Sequence, residues 1–207
     1  QNLVPGKNYK LSFDLNYCGW RVKKGNKFRL ALSTTYWPIV WPVADEVNVE
    51  LNLQNCRIIL PQRRKGLAPD IDQNTAISNI IPPMQHHWEY LIKPSGTKSE
   101  KINDKNELVI ETYDNFGHLK SKDHGLEHYM QVWHEYKIKD NDPLSAGLIT
   151  RWKTLTKKDG YEMLVETEHI ISSDKNYFIC QIDLKAFLNN QLFYKKNWNE
   201  KIARKWQ

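Results

Sequence analysis

The alternation of apolar and polar residues is the feature that most constrains the fold of this chain. Its cleanest stretch places Tyr9, Leu11, Phe13, Leu15 and Tyr17 on one side, with polar residues between them. Successive side chains of a strand point to opposite faces, so this stretch predicts a strand with one buried and one wet face. Similar alternation predicts three more strands in the first third, over residues 28–32, 47–53 and 56–60.

Alternation resumes at residue 88 and predicts seven longer strands. Turn-forming residues separate most of these strands, because Asp, Asn, Gly, Pro and Ser favour tight changes of chain direction. One wet face per strand and short connections are typical of an antiparallel sheet, and consecutive hairpins, a meander, are its simplest topology. The predicted strands span residues 88–93, 107–113, 128–138, 148–156, 161–171, 177–187 and 191–198, and the predicted turns span 114–117, 140–143, 158–160, 173–176 and 189–190.

Composition supports an all-β chain and excludes several classes. The 207 residues include eight Trp and ten Tyr, which pack well on a pleated, half-buried surface. No apolar run approaches the roughly 20 residues of a membrane helix, so no membrane partner is predicted. Cys18, Cys56 and Cys180 show no CxxC spacing, which favours a reducing, cytoplasmic environment. The basic residues around Gly25 and Asn26 are explained by a solvated turn, so no nucleic-acid partner is predicted either.

The sequence lacks the motifs that announce common active sites. It contains no Gly-x-Ser-x-Gly pentad, no phosphate-binding glycine loop and no His-Glu-x-x-His zinc motif. His128 and His134 would share a strand face but lie about 20 Å apart, too far to share one metal ion. We therefore predict no catalytic residue, no cofactor and no metal site. The other histidines and acids weighed for such a site were His86, His87, His118, His124, Glu162, Glu166 and Glu168.

The run Tyr36-Trp37-Pro38-Ile39-Val40-Trp41-Pro42 is the most unusual local feature. Its two prolines keep it out of the middle of a sheet, so it must form a shaped loop. Two interpretations follow for Tyr36, Trp37 and Trp41. They form a plug that folds onto the end of a β-sandwich, or they form an exposed platform that stacks on a sugar or a partner. The plug is favoured, because exposed Trp pairs are costly without a partner.

The same run ends a block that resembles a known family. Pro5-Gly6-Lys7 and the segment from Lys24 to Pro38 resemble the end of the C-terminal jelly-roll domain of CocE/NonD hydrolases, the family of cocaine esterase and the X-Pro dipeptidyl-peptidases. Two later motifs resemble a C-terminal extension in a subgroup of that family. They run from Asp142 to Ala146 and from Asn197 to Arg204.

The resemblance implies a fold, a domain division and a function. The fold implied for residues 1–65 is a partial jelly-roll/β-sandwich segment. The sequence pattern adds an ordered connector over residues 66–84 and a large antiparallel meander sheet over residues 85–207. The function implied is a non-catalytic C-terminal accessory domain of an α/β-hydrolase that cleaves esters or amides with a catalytic serine. Its predicted partner is the α/β-hydrolase domain of the same polypeptide, and a homo-oligomer is allowed. The alternative is a free-standing carbohydrate- or ligand-binding β module.

Overall fold

Eight β-strands form a single antiparallel sheet in a computed structural model, which describes residues 4–16, 19–45, 47–61 and 87–205. Within those residues the only helical element is a 3-10 turn at Leu53–Asn55. The all-β fold and the antiparallel sheet are therefore confirmed. The strands are β1 (Trp88–Ile92), β2 (Ser95–Ile102), β3 (Glu107–Ser121), β4 (Glu127–Lys139), β5 (Asp142–Lys158), β6 (Tyr161–Ser173), β7 (Tyr177–Leu188) and β8 (Gln191–Ala203).

The strand order is that of a meander. From β3 to β8 every strand pairs with the next one in the chain, and β1 and β2 both pair with β3. β1 faces the second half of β3, with Trp88 opposite Ser121, and β2 faces the first half, with Ile102 opposite Leu108. Residues 88–102 thus form one bent edge of the sheet, and β8 forms the other edge.

The sequence missed β2, and it ended β3 too early. β2 has no apolar alternation because all eight of its residues are exposed; it is held by its ladder with β3 and by polar contacts such as Lys101 Nζ to Glu111 Oε2 at 3.3 Å. The turn predicted at residues 114–117 is wrong. It is a β-bulge inside β3, where Asn115 Oδ1 accepts a hydrogen bond from the Gly117 N–H at 2.8 Å and the strand then continues.

Two other predicted turns are two-residue hairpin loops. Asp159 and Gly160 have φ angles of 50° and 81°, and Asn189 and Asn190 have 49° and 64°. Two consecutive positive φ values mark the type I′ turn, whose twist matches that of the flanking strands. Asp-Gly and Asn-Asn supply residues that tolerate this conformation, so both connections follow from their sequence.

The two faces of the sheet differ sharply in charge. We define the uncharged face as the side of β4 to β7 that carries Val132, Trp152, Thr167 and Leu184, which lie opposite one another. No Asp, Glu, Lys or Arg stands on this side within residues 128–136, 148–156, 163–173 and 178–188. The opposite side, the charged face, carries Glu135, Lys137, Arg151, Lys153, Lys157, Glu162, Glu166, Glu168, Asp183 and Lys185.

The first third differs from the prediction. Over residues 4–16, 19–45 and 47–61 the structure has no β-ladder, only an isolated bridge between Tyr36 and Val40. The predicted apolar sides stand in solvent: Leu11 is 71% exposed and Phe13 is 61% exposed. An alternating segment gains from strand formation only when a neighbouring strand pairs with it and another layer covers its apolar side. Within the described part of the chain, no strand pairs with these segments and their apolar sides are left exposed.

Two further features concern the predicted connector and membrane-spanning helices. The connector predicted at residues 66–84 lies outside the described residues. No helix in the described part of the chain has the length and apolar character needed to cross a membrane.

The bulge in β3 makes a testable claim about Gly117. Its φ is +93°, and an added Cβ would lie 2.8 Å from the Ile92 carbonyl oxygen. We expect Gly117→Ala to lower the free energy of unfolding by about 2 to 3 kcal/mol, because strain and a backbone clash add together. Gly160→Ala is the matched control: its φ is +81° with open space around it, and we expect a loss of about 1 kcal/mol. Equal losses in urea titrations would contradict this account.

Candidate functional site

The aromatic loop, residues 36–45, begins with a tight turn. The Val40 N–H donates to the Tyr36 carbonyl oxygen at 2.8 Å, and the Trp37–Pro38 peptide is cis. Trp37 and Trp41 are half-buried, whereas Tyr36 is 66% exposed. Pro42 and Ala44 are buried. The loop therefore turns its two indoles, Pro42 and Ala44 inward and leaves Tyr36 in solvent.

The two indoles pack on the uncharged face at one end of the sheet. Trp37 and Trp41 meet edge to face, with ring centroids 5.1 Å apart and planes at 86°. The ring centroids of Trp37 and Tyr136 of β4 are 6.1 Å apart, and those of Trp41 and Phe178 of β7 are 5.8 Å apart. Both pairs are also edge to face. Edge-to-face pairs of this kind contribute roughly 0.5–1.5 kcal/mol each beyond the burial of their area.

Hydrogen bonds fix the loop at the same place. Trp41 Nε1 donates to Ser173 Oγ, at the end of β6, at 2.9 Å. Arg204, just after β8, donates from Nη1 to Ser173 Oγ and to the Asp174 carbonyl oxygen, both at 3.1 Å, and from Nη2 to the Pro42 carbonyl oxygen at 2.5 Å. One guanidinium therefore joins the loop, the end of β6 and the turn that follows it. We name Tyr136, Ser173, Phe178 and Arg204 the loop dock.

Arg204 is held in an apolar setting. Its guanidinium lies over the Phe178 ring at 5.0 Å, and burial lowers the pKa of Arg204, opposed by the nearby Asp174 and Asp45. An arginine stays protonated in proteins, so the charge is retained, and Nη1 and Nη2 donate to the contacts above. Two donors of the junction, Arg204 Nε and Trp37 Nε1, are buried without an acceptor among the described residues.

The turn between β6 and β7 supplies a second link. The backbone N–H groups of Asn176 and Tyr177 donate to Asp174 Oδ1 at 2.7 and 2.8 Å, and these bonds lower the pKa of Asp174. Lys175 Nζ lies 2.9 Å from Asp45 Oδ1, the last residue of the loop. Both side chains of this pair are mostly exposed, so the pair contributes little energy and mainly marks where the loop leaves the sheet.

The structure brings Trp37 and Trp41 together and sets Tyr36 apart. Whether the indoles serve as a plug or as a platform stays a prediction, although both rings are half-buried and already engaged edge to face. Sequence reasoning missed Ser173 as a partner, since a serine in a turn has no distinctive signal. Arg204 closes one of the motifs that carry the family resemblance, and its contact with Pro42 gives that motif a physical role.

The histidines lie on separate strand positions and bond to different groups. His118 Nε2 is 3.1 Å from Glu127 Oε2, His128 Nδ1 is 3.3 Å from Thr156 Oγ1, and His134 Nδ1 is 3.0 Å from Thr150 Oγ1. Burial lowers the pKa of His134, which favours its neutral form. In the described residues no three His, Cys, Asp or Glu side chains lie close enough together to hold a metal ion.

One serine–histidine contact resembles part of a catalytic site and was not predicted. Ser121 Oγ lies 2.8 Å from His124 Nδ1 in the turn after β3. A serine nucleophile needs an accessible hydroxyl and a third group that orients the histidine. Ser121 is only 2% exposed, and no hydrogen bond to His124 Nε2 is present among the described residues. The contact fits a bond that closes the turn, where the Gly125 N–H also donates to the Ser121 carbonyl oxygen.

Glu162, Glu166 and Glu168 stand on the charged face, as their spacing predicted. Each meets a cation of β5: Lys157 Nζ lies 2.6 Å from Glu162, Lys153 Nζ lies 3.3 Å from Glu166, and Arg151 bonds to Glu168. Glu166 and Glu168 line an open groove of about 520 Å³, in which the Arg151 guanidinium lies 4.7 Å from the centroid of the Trp133 ring. Opposite charges neutralise each other along the strands, so these carboxylates act as cross-strand pairs.

The plug and the platform make opposite predictions for Trp41. As a plug, Trp41→Ala removes a half-buried ring and the bond to Ser173, and we expect the free energy of unfolding to fall by about 3 kcal/mol. Trp37→Ala should behave similarly. Tyr36→Ala is the matched control: it removes an exposed ring of the same loop, and we expect a change within about 0.5 kcal/mol. If all three variants unfold at the same urea concentration as the parent chain, the platform is supported and the plug is wrong.

Comparison with known proteins identifies the first third. Residues 1–78 match the family model described as the X-Pro dipeptidyl-peptidase C-terminal non-catalytic domain. No curated protein and no solved structure matches the chain. The matched residues include the aromatic loop, whereas every member of the loop dock lies outside them. The resemblance found from residues 24–38 is thus confirmed, and the first 78 residues of this chain match the non-catalytic C-terminal domain family of the X-Pro dipeptidyl-peptidases.

Proposed function

We propose that this chain is the non-catalytic C-terminal accessory part of an α/β-hydrolase that cleaves ester or amide bonds with a catalytic serine. The match of residues 1–78 to a non-catalytic domain of X-Pro dipeptidyl-peptidases is the observation that carries the proposal. The parent enzyme would supply the nucleophile, the base and the acid from an α/β-hydrolase domain of the same polypeptide. In the described part of the chain, Ser121 and His124 are the nearest approach to such a set, and Ser121 is buried.

The role that the geometry favours is structural. The sheet of residues 88–203 contacts the matched segment through the loop dock. The two indoles of the loop pack on its aromatic rings, and Arg204 donates to the carbonyl oxygen of the buried Pro42. Such a contact stabilises the fold around residues 36–45 and sets the position of the segments that flank them. Contacts between copies and a wall of the substrate cleft are further roles that an accessory domain of this kind could serve.

A free-standing carbohydrate- or ligand-binding module is the alternative. Stacking on a sugar or a partner requires an aromatic ring with an open face. Trp37 and Trp41 are half-buried and packed against each other, Tyr136 and Phe178, so they offer less open ring area than an exposed platform would. Tyr36 is the exposed ring of the three. The unfolding of Trp37→Ala, Trp41→Ala and Tyr36→Ala in urea, described above, separates the two candidates.

We expect the purified chain to hydrolyse neither p-nitrophenyl esters nor X-Pro amides, because acyl transfer needs an accessible nucleophile, a base and an orienting group. Release of p-nitrophenol and of the amine product checks this directly. Ser121→Ala is the informative control. Turnover that survives repurification and disappears in Ser121→Ala would contradict the proposal and assign catalysis to this chain.

The coding sequence upstream of Gln1 tests the parent enzyme. We expect it to encode an α/β-hydrolase domain with a Gly-x-Ser-x-Gly pentad, whose glycines allow the strained turn that exposes the nucleophile. A start codon directly before the codon for Gln1 would refute the accessory role and leave the binding module.

A further inference from the structure

Among the described residues, the aromatic loop covers one end of the uncharged face, and Phe116 of the bulge in β3 stacks on Trp152 with ring centroids 6.1 Å apart. The aromatic loop packs on Tyr136 and Phe178, and beyond them the face continues for several rows of paired residues. One row is Val132, Trp152, Thr167 and Leu184, in which Val132 is buried and the other three are half-buried. Further along the face, Met163 is 50% exposed. Within residues 128–136, 148–156, 163–173 and 178–188 this side carries no Asp, Glu, Lys or Arg, while the other side of the same strands is rich in them.

This asymmetry indicates a face that is buried in the working protein. A sheet with both faces in water needs no difference between them, since charges serve equally well on either side. A sheet with one face against another layer reads apolar on the inside and polar on the outside. The uncharged face spans four long strands, whereas the described ring contacts and the Trp41 hydrogen bond of the aromatic loop fall at Tyr136, Ser173 and Phe178.

A second uncharged surface lies on the segments that flank the loop. Leu30 and Leu32 precede the loop and are 54% and 50% exposed, and Val49 and Leu51 follow it and are 51% and 50% exposed. Leu11 and Phe13 continue this pattern. The charged residues of the same segments fall on the alternate positions, as with Lys10, Asp14, Lys27, Arg29 and Glu50. Each segment thus offers one uncharged side.

We infer that these uncharged sides, over residues 9–15, 28–32 and 47–53, pack on the uncharged face as a second layer. The docked loop joins the two surfaces in one chain, since residues 32 and 47 lie within a few positions of its ends. Tethering of this kind gives an effective concentration of the order of millimolar, which a second copy of the chain does not reach at ordinary protein concentrations. The inference deepens the structural role proposed above and does not depend on the chemistry of the parent enzyme.

Thiol accessibility tests the inference in the full chain. Thr167→Cys and Ser172→Cys each place a thiol at a half-buried position of β6, on the uncharged face and on the charged face respectively. Both changes are nearly isosteric, and both are made with Cys18, Cys56 and Cys180 replaced by Ser. If the second layer forms, the Thr167→Cys thiol reacts with iodoacetamide at least about tenfold more slowly than the Ser172→Cys thiol, the ratio set by an opening free energy of about 1.4 kcal/mol.

A pair of neighbouring substitutions identifies the cover. Phe13→Asp puts a charge on the uncharged side of its segment, and we expect it to raise the Thr167→Cys rate to that of Ser172→Cys. Ser12→Asp puts the same charge on the other side and should leave the rate unchanged. Leu51→Asp with its control Asn52→Asp repeats the test on another segment. An unchanged Ser172→Cys rate shows that a variant is still folded, and only such variants are compared.

Three outcomes would overturn the inference. Equal rates for the two thiols in the otherwise unaltered chain would show that the face is open. Protection that fades on dilution would assign the cover to a second copy. Protection that both Phe13→Asp and Leu51→Asp leave intact would assign it to another part of the protein. None of these results depends on hydrolase activity, so they are separate from the tests of the proposed function.

Discussion

The ladder of backbone hydrogen bonds between neighbouring strands is the interaction on which the rest of the structure depends. The described residues bury few apolar side chains: Val109, Ile110, Val132 and Ala146 in the sheet, and Ala44 in the loop. A conventional core therefore does not hold the sheet. Long strands compensate, because β3 to β8 each run for twelve to seventeen residues and pair along most of their length. The aromatic loop docks on residues of β4, β6 and β7, so its contacts require that these strands pair in the observed register.

The contact between the loop and its dock ties the matched domain to the sheet. Ser173 Oγ accepts hydrogen bonds from Trp41 Nε1 and Arg204 Nη1, so a single buried hydroxyl links the loop to the residues after β8. The same contacts join segments of the chain that lie far apart in sequence and in which the family resemblance was noted. The aromatic run, the residues near Ala146 and the closing Arg204 stand far apart in sequence, yet the loop and Arg204 meet, and Ala146 is only 1% exposed in the neighbouring strand β5.

Strand positions could be read from the sequence where a side chain has an inside and an outside. β4 to β8 were predicted for that reason, and the Asp-Gly and Asn-Asn turns follow from their tolerance of positive φ. β2 could not be predicted because both of its sides are wet, and the bulge at Gly117 resembles a turn at the level of composition. The four strands predicted in the first third show the opposite limit. Alternation indicates that a segment could form a strand with one buried side, but a strand forms only when another strand pairs with it.

The candidate site was predictable only in part. Two indoles, each followed by a proline, predicted a shaped loop. Its partners come from β4, β6, β7 and the residues after β8. Nothing in the local pattern around Ser173 or Tyr136 points to residue 41 or 37. Such contacts are a property of the assembled sheet, since they depend on which strand ends lie side by side. The family resemblance pointed to the non-catalytic C-terminal domain that residues 1–78 match. The contacts of the aromatic loop became visible only in the structure.

The meander order has a consequence for how the chain folds. Each hairpin from β3 to β8 joins strands that are adjacent in sequence, so every step of sheet formation closes a short loop at low entropic cost. The Trp41–Ser173 and Arg204–Pro42 bonds instead join residues 132 and 162 positions apart. Their closure is favourable only once the ends of β4, β6 and β7 stand together. From these sequence separations we expect the sheet to form hairpin by hairpin and the aromatic loop to dock after the strand ends have come together.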